Sequence, residues 1–136
     1  MKMIDSSLTS LGAKVVVATS SDENHPPENI IDGNTKTFWM STGMFPQEFI
    51  ICFAEPTMIS AVTVDSFNVK HLKIEKNTSQ NASNFEFVGE KELEHTDGHI
   101  QTNAVPLNGS NATHLRFIIT SGYDHFVSVH RVSVQG

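Results

Sequence analysis

The sequence predicts an all-β fold, an eight-stranded antiparallel jelly-roll β-sandwich. Three observations carry that expectation. Apolar residues recur with a period of two in short runs. No stretch sustains the 3.6-residue period of an amphipathic helix. The runs are separated by segments rich in Pro, Gly, Asn and Ser, which terminate strands and set turns.

The runs follow one another along the whole chain. Lys14–Thr19 is β-branched, and Phe49–Phe53 is short and apolar. Thr57–Phe67 carries Ile59, Ala61, Thr63 and Asp65 on one parity and Met58, Ser60, Val62 and Val64 on the other. In Lys70–Lys76, Leu72 and Ile74 point in and His71, Lys73 and Glu75 point out. Phe85–Glu92 brings Phe85 and Phe87 together, Ile100–Leu107 alternates weakly, and His114–Thr120 aligns Leu115, Phe117 and Ile119. Phe126–Val134 places Phe126, Ser128, His130, Val132 and Val134 on one parity and Val127, Val129, Arg131 and Ser133 on the other. Without crossover helices the strands must pair antiparallel.

Residues 1–136 read as a single domain with no repeat or linker, and Asn77–Asn84 as a polar loop. A chain of this length buries roughly 68–70% of the surface it exposes unfolded, so no disulfide staple is required. The single cysteine, Cys52, lies in "FIICF" and reads as a buried, inert thiol. "MKMIDSSLTSLGAKVVVATSS" contains no apolar stretch long enough for a signal peptide or a membrane span, which predicts an unprocessed cytosolic protein without membrane insertion. The sequons at Asn77, Asn81, Asn108 and Asn111 are read as unglycosylated loops. The net charge is −6 with dispersed Lys and Arg, which excludes a basic surface for nucleic acid or anionic membrane.

Catalytic constellations are weak. Ser128, His130, His125 and Asp124 cluster near the C-terminus, but no nucleophile elbow accompanies them. His71, His95, His99 and His114 are expected to be exposed. Glu90, Glu92 and Glu94 alternate and read as a solvated stripe that could also blunt an edge strand. Met44-Phe45-Pro46 is either a packed loop or a hydrophobic tip. The protein is expected not to be an enzyme.

The segment "ENIIDGNTKTFW", from Glu28 to Trp39, holds the most specific chemistry. Asp32 offers a carboxylate, Asn29 and Asn34 offer carbonyl oxygens, and Thr37 offers a hydroxyl and a carbonyl. A plain Asp-Gly turn needs no ligand. Converging hard oxygens would suit Ca²⁺. No Cys/His set favours zinc.

That loop and the strand order resemble the discoidin, or coagulation-factor C-domain, type of jelly roll, a galactose-binding-domain-like fold. The blocks "ATSSDENHPPENIIDGNTKTFW", "TGMFPQEFIICF", "LKIEK" and "LRFIITSGYDHFVSVHRVSVQG" further resemble a family of small β-sandwich subunits of the intraflagellar transport B complex, also catalogued as small-heat-shock-like or placental proteins. The resemblance extends from about Ile4 to Gly136. It implies Asn29, Asp32 and Thr37 as ligands of a structural Ca²⁺, with Asn34 a backbone contributor. It also implies that the ion clips the N-terminal loop to the last strand, where Gln135 stands in place of the acid that closes related sites. By the same resemblance the protein is a subunit in cytoplasm and cilium. The resemblance further implies that it pairs with a Rab-like small GTPase subunit, contacts other B-complex subunits, and supports ciliary export of signalling proteins, including the Hedgehog pathway.

Two alternatives are a carbohydrate-binding module, with Trp39, Tyr123 and Phe45 as its available aromatics, and a small-heat-shock-like chaperone. The disulfide of many secreted discoidin domains is absent. Because Thr57–Val64 and Phe126–Val134 are apolar on both parities, one set is expected to face the core and the second, including Val62 or Val127, to dock the GTPase.

Overall fold

The computed structural model describes residues 14–18, 39–40, 45–77, 85–95, 100–123 and 127–135. They form strands β1 (Lys14–Ala18), β2 (Trp39–Met40), β3 (Gln47–Phe67), β4 (Val69–Asn77), β5 (Glu86–Glu92), β6 (Gln101–Gly122) and β7 (Ser128–Gln135). Among the described residues there is no helix. Within the described residues, each of the eight predicted runs coincides with a strand, or with part of one, to within a residue or two at its ends. Phe49–Phe53 and Thr57–Phe67 merge into the 21-residue β3, and Ile100–Leu107 and His114–Thr120 into the 22-residue β6. The short β2 is an element the alternation did not predict, because two residues carry no period.

Every pairing is antiparallel. The first half of β3 lies between β1 and the second half of β6, which continues to β4 and the edge strand β5. The second half of β3 lies between the first half of β6 and β7, which carries β2 at its far side. The two long strands therefore bend from one layer into the other. Register shifts between Cys52 and Thr57 and between Ile59 and Ala61 supply the bend, as bulges do in jelly rolls.

Core residues come from both layers. Trp39 on β2 meets Phe49 on β3 edge-to-face, with ring centroids 5.4 Å apart, and Phe49 stacks on its cross-strand partner Phe117 at 4.9 Å. Ile51, Ile59, Val64, Leu72, Ile74, Leu115, Ile119, Val132 and Val134 fill the space around them. Val62 and Val127 are both 0% exposed, so they belong to this core and are not an outward docking set. The double parity has a different cause. The register shift near Ser60 moves β3 from odd inward positions (Ile59) to even ones (Val62, Val64). A second shift, opposite Asp65 and Ser66, carries the register from Arg131 directly to Val129, so β7 passes from Val127 and Val129 to Val132 and Val134 without turning a second apolar face outward.

One end of the sandwich is locked by polar contacts. Asn68, at φ 64°, makes the whole connection between β3 and β4, a conformation asparagine tolerates better than most residues. Its carbonyl accepts from Tyr123 N–H at 2.8 Å, and a Cβ on Gly122 would approach that same oxygen to 2.8 Å, so the close approach requires glycine. The buried Gln101 amide ties this end together. Its Oε1 accepts from Ser66 Oγ at 3.2 Å and Val69 N–H at 3.1 Å. Its Nε2 donates to the carbonyls of Val69 and Glu94, both at 2.8 Å.

Candidate functional site

The proposed metal ligands Asn29, Asp32, Asn34 and Thr37 lie outside the described residues. What is described is the frame beside them. Trp39 follows the loop in sequence, is fully buried, and pairs with Val129, while Met40 pairs with Ser128. The antiparallel sense of this pairing points the N-terminal end of β2 toward the C-terminal end of β7, where Gln135 pairs with Ala61. Among the described residues no three His, Cys, Asp or Glu side chains converge as a metal site.

The histidines divide by environment. His71 Nε2 lies 3.2 Å from Glu90 Oε2, and its Nδ1 is within hydrogen-bond distance of Thr120 Oγ1 at 2.7 Å. His95 is exposed and tilts against the Tyr123 ring at 4.8 Å. His114 departs from the expected exposure: it is buried on β6, and burial lowers its pKa below the ordinary histidine value. The Thr113 hydroxyl gives its hydrogen to the Asn77 carbonyl at 2.9 Å, so at its 2.9 Å contact with His114 Nδ1 the ring nitrogen is the donor. Ser128 Oγ stands 3.4 Å from His130 Nε2 and is buried, so it presents no accessible nucleophile; Asp124, His125 and His99 lie outside the described residues.

The sequons are not all loops. Asn77 ends β4 and is buried, which bars a glycan on its side chain in the folded chain, while Asn108 and Asn111 lie within β6; Asn81 is outside the described residues. Cys52 is half-buried rather than sealed, with Sγ 3.5 Å from the Phe53 carbonyl. At the loop tip, Phe45 packs against the core and Pro46 is exposed, while Met44 lies outside the described residues. Of the aromatics a glycan could stack on, Trp39 is therefore sealed and Phe45 is largely packed.

The outer face of the β1–β3–β6–β4–β5 layer carries a belt of charge and aromatics. Arg116 Nε lies 2.8 Å from Glu48 Oε2 and 3.4 Å from Glu75 Oε1, close ionic approaches without an aligned N–H, and its guanidinium covers the Phe85 ring at 5.0 Å. Lys73 Nζ lies 3.9 Å from Glu75 Oε2 and 5.6 Å from the Phe87 ring centre. These pairs are partly solvated, so they organise the face more than they stabilise the fold.

At the β5 edge, Glu90, Glu92 and Glu94 are all exposed, as the stripe reading expects. Lys91, of opposite parity, turns inward and donates from Nζ to the Ala104 carbonyl at 3.3 Å. An open cleft of about 410 Å³ lies there, lined by Lys91, Glu92, Glu94 and residues 100–103. The sequence reading missed how much apolar surface accompanies this edge. Phe87 is 51%, Ile100 42% and Tyr123 40% exposed, and Met58, at 57%, stands on β3. The sequence carried no signal for Phe87: within β5 it shares parity with the inward Gly89 and Lys91, and only the register shift between Ile74 and Glu75, which sets Phe87 opposite Glu75, turns it to the outer face.

Comparison with known proteins fits this geometry. The F5/8 type C domain family matches residues 15–132. The chain is 54% identical over 136 residues to the human intraflagellar transport protein 25 homolog, covering 100% of this chain and 94% of that one. Against intraflagellar transport protein 25 of Chlamydomonas reinhardtii it is 42% identical over 125 residues, covering 92% and 66%. Among solved structures, the family 32 CBM from Clostridium perfringens NanJ in complex with galactose superposes with TM-score 0.82 at 17% identity, covering 98% and 100%. The C-terminal domain of a Bacteroides fragilis chitobiase superposes with TM-score 0.81 at 18% identity, covering 99% and 97%. These structural likenesses show the fold. The chain belongs to the F5/8 type C domain family and, within it, to the intraflagellar transport protein 25 family.

Proposed function

We propose that this chain is a non-enzymatic subunit of the intraflagellar transport B complex, working in the cytoplasm and cilium. The observation that carries this reading is the 54% identity to the human intraflagellar transport protein 25 homolog over the full length of the chain. Its action is through protein contacts: it forms a heterodimer with a Rab-like small GTPase subunit and supports ciliary export of signalling proteins, including those of the Hedgehog pathway. The buried Ser128 supports a role without catalysis. The sealed Trp39 and packed Phe45 weigh against a carbohydrate-binding module. A chaperone of the small-heat-shock class would use a crystallin sandwich, whereas the fold is of the discoidin type.

A structural Ca²⁺ completes the reading. Asn29, Asp32, Asn34 and Thr37 supply only hard oxygen donors, which suits Ca²⁺. The direction of β2 toward the Gln135 end of β7 supports a clip between the loop and the last strand. With Asp32 the one carboxylate in the set, the ion has a structural role rather than a sensing one.

Co-expression of the tagged chain with the Rab-like GTPase subunit tests the reading. A stoichiometric complex that survives gel filtration is expected. Two separate monomeric peaks, with both proteins folded, would overturn the heterodimer.

A further inference from the structure

Exposed apolar side chains and carboxylates gather at the β5 edge. Three of the large apolar side chains exposed among the described residues, Phe87, Ile100 and Tyr123, lie along this edge, while Met58 stands apart on β3, where it pairs with Asn111 of β6. The exposed carboxylates Glu90, Glu92 and Glu94 lie between them along the chain. The anchors are held in place. Tyr123 Oη donates to the Leu93 carbonyl at 2.7 Å, Leu93 N–H donates to the Lys70 carbonyl at 2.8 Å, and Gln101 grips the Glu94 carbonyl beside Ile100. The neighbouring cations are already engaged: Lys70 lies 5.9 Å from the Tyr123 ring centre, Lys73 is over Phe87, and Lys91 is on the Ala104 carbonyl. From Phe87 to Glu94 the edge spans about 23 Å at roughly 3.3 Å per residue, close to the side of a patch of about 800 Å², the area one partner contributes to a standard interface.

We infer that the β5 edge, anchored by Phe87, Ile100 and Tyr123, docks a protein subunit that presents apolar contacts flanked by Lys and Arg. The charge decides the occupant. Ordered aromatic and aliphatic anchors beside the exposed column of Glu90, Glu92 and Glu94 match a basic partner face and steer its approach. A second copy of this chain would set the glutamate column against itself across a two-fold axis. A nucleic acid would be repelled.

This inference rests on the subunit reading above, and its test separates the two. Fluorescently labelled full-length chain is titrated with a reconstituted intraflagellar transport B complex lacking it, over a range of salt. Wild type is expected to bind with an affinity that falls as salt rises. Glu90→Lys/Glu92→Lys/Glu94→Lys and Phe87→Ala/Ile100→Ala should each weaken the apparent Kd by about tenfold or more, whereas Met58→Ala should leave it unchanged. Tight wild-type binding that neither the salt nor either variant alters overturns the docking edge alone. No binding by wild type overturns the subunit reading itself. A wild-type homodimer in light scattering that Phe87→Ala/Ile100→Ala returns to monomer assigns the edge to a second copy and also overturns the inference.

Discussion

Replacing Gln101 by alanine should remove the main polar lock at the Asn68 end of the sandwich. The side chain is buried and makes four hydrogen bonds, two as acceptor and two as donor. Its orientation follows from its partners, since the two facing carbonyls can only accept and must meet the amide nitrogen. In the alanine variant, Val69 N–H, the Val69 carbonyl and the Ser66 hydroxyl lose their partner in a buried setting. The Glu94 carbonyl belongs to an exposed residue and can bond water instead. A buried group left unsatisfied costs about 1–3 kcal/mol, and water entering the space recovers part of it, so the net loss is about 3 kcal/mol. For a domain of this size that lowers Tm by about 10 °C. Gln101→Glu, of nearly the same shape, separates packing from hydrogen bonding: it turns a carboxylate oxygen toward two carbonyls and should fall at least as far. Equilibrium urea unfolding, followed by the fluorescence of the single buried Trp39, reads both variants. A loss below about 1 kcal/mol in both would refute the clamp, because even one buried orphan group should exceed it.

Three further outcomes are expected. Val62→Asp and Val127→Asp should each abolish the folded state, since both side chains lie at 0% exposure in the core; a cooperative, near-wild-type melt by circular dichroism would contradict their placement. Ca²⁺ should raise Tm by stabilising the native state by about 2.7 kcal/mol at a hundredfold excess over Kd. Asp32→Ala should lose that shift, and an equal shift in both proteins would exclude the loop as the site. Because burial lowers the folded pKa of His114, the unfolded chain binds more protons as pH falls through the unfolded value near 6.5. Stability therefore holds above that pH and is lost below it as pH falls through the folded pKa. Comparison of urea midpoints for wild type and His114→Gln across pH 7.5 to 5.5 should show a flatter profile in the variant, and parallel profiles would dismiss the role of His114.

The strands were legible because most of them bury one face. Leu72 and Ile74 alternate against His71, Lys73 and Glu75, and period two exposes that arrangement directly. The bulges were not legible. A register shift adds a residue without changing composition, so Ile59 and Val62 lie on opposite parities of the sequence yet on the same side of the sheet. The two-faced appearance of β3 and β7 was therefore a one-faced strand with a kink. Gln101 escaped notice for a related reason. A glutamine at a strand start reads as polar surface, and only the convergence of Ser66, Val69 and Glu94, which are distant in sequence or outside its strand, makes it a core residue. The oxygen-rich Asn29–Thr37 segment lies outside the described residues, so its reading as a ligand set rests on the side-chain chemistry of the sequence alone.

The β5 edge shows how edge protection and recognition can share residues. An exposed edge strand invites pairing with another chain, and charge is the usual deterrent. Here the protection has two parts. On the inward parity, Gly89 lets β5 approach the first half of β6, where a Cβ would stand 3.1 Å from Val105 Cγ1, and Lys91 covers the Ala104 carbonyl. Pro106, farther along that stretch of β6, has no N–H to offer an incoming strand. On the outward parity, Glu90 and Glu92 discourage an identical acidic edge. Protection against self-pairing alone would not require Phe87, Ile100 and Tyr123 to stay 40–51% exposed beside those charges. Charges that repel a second copy attract a basic surface, and the same three side chains then supply the apolar area that such a partner can bury. The charges thus discourage strand addition by a second copy and leave the edge open to a side-chain interface, which is the mode of contact expected of a subunit that keeps its own fold while joined to a larger assembly.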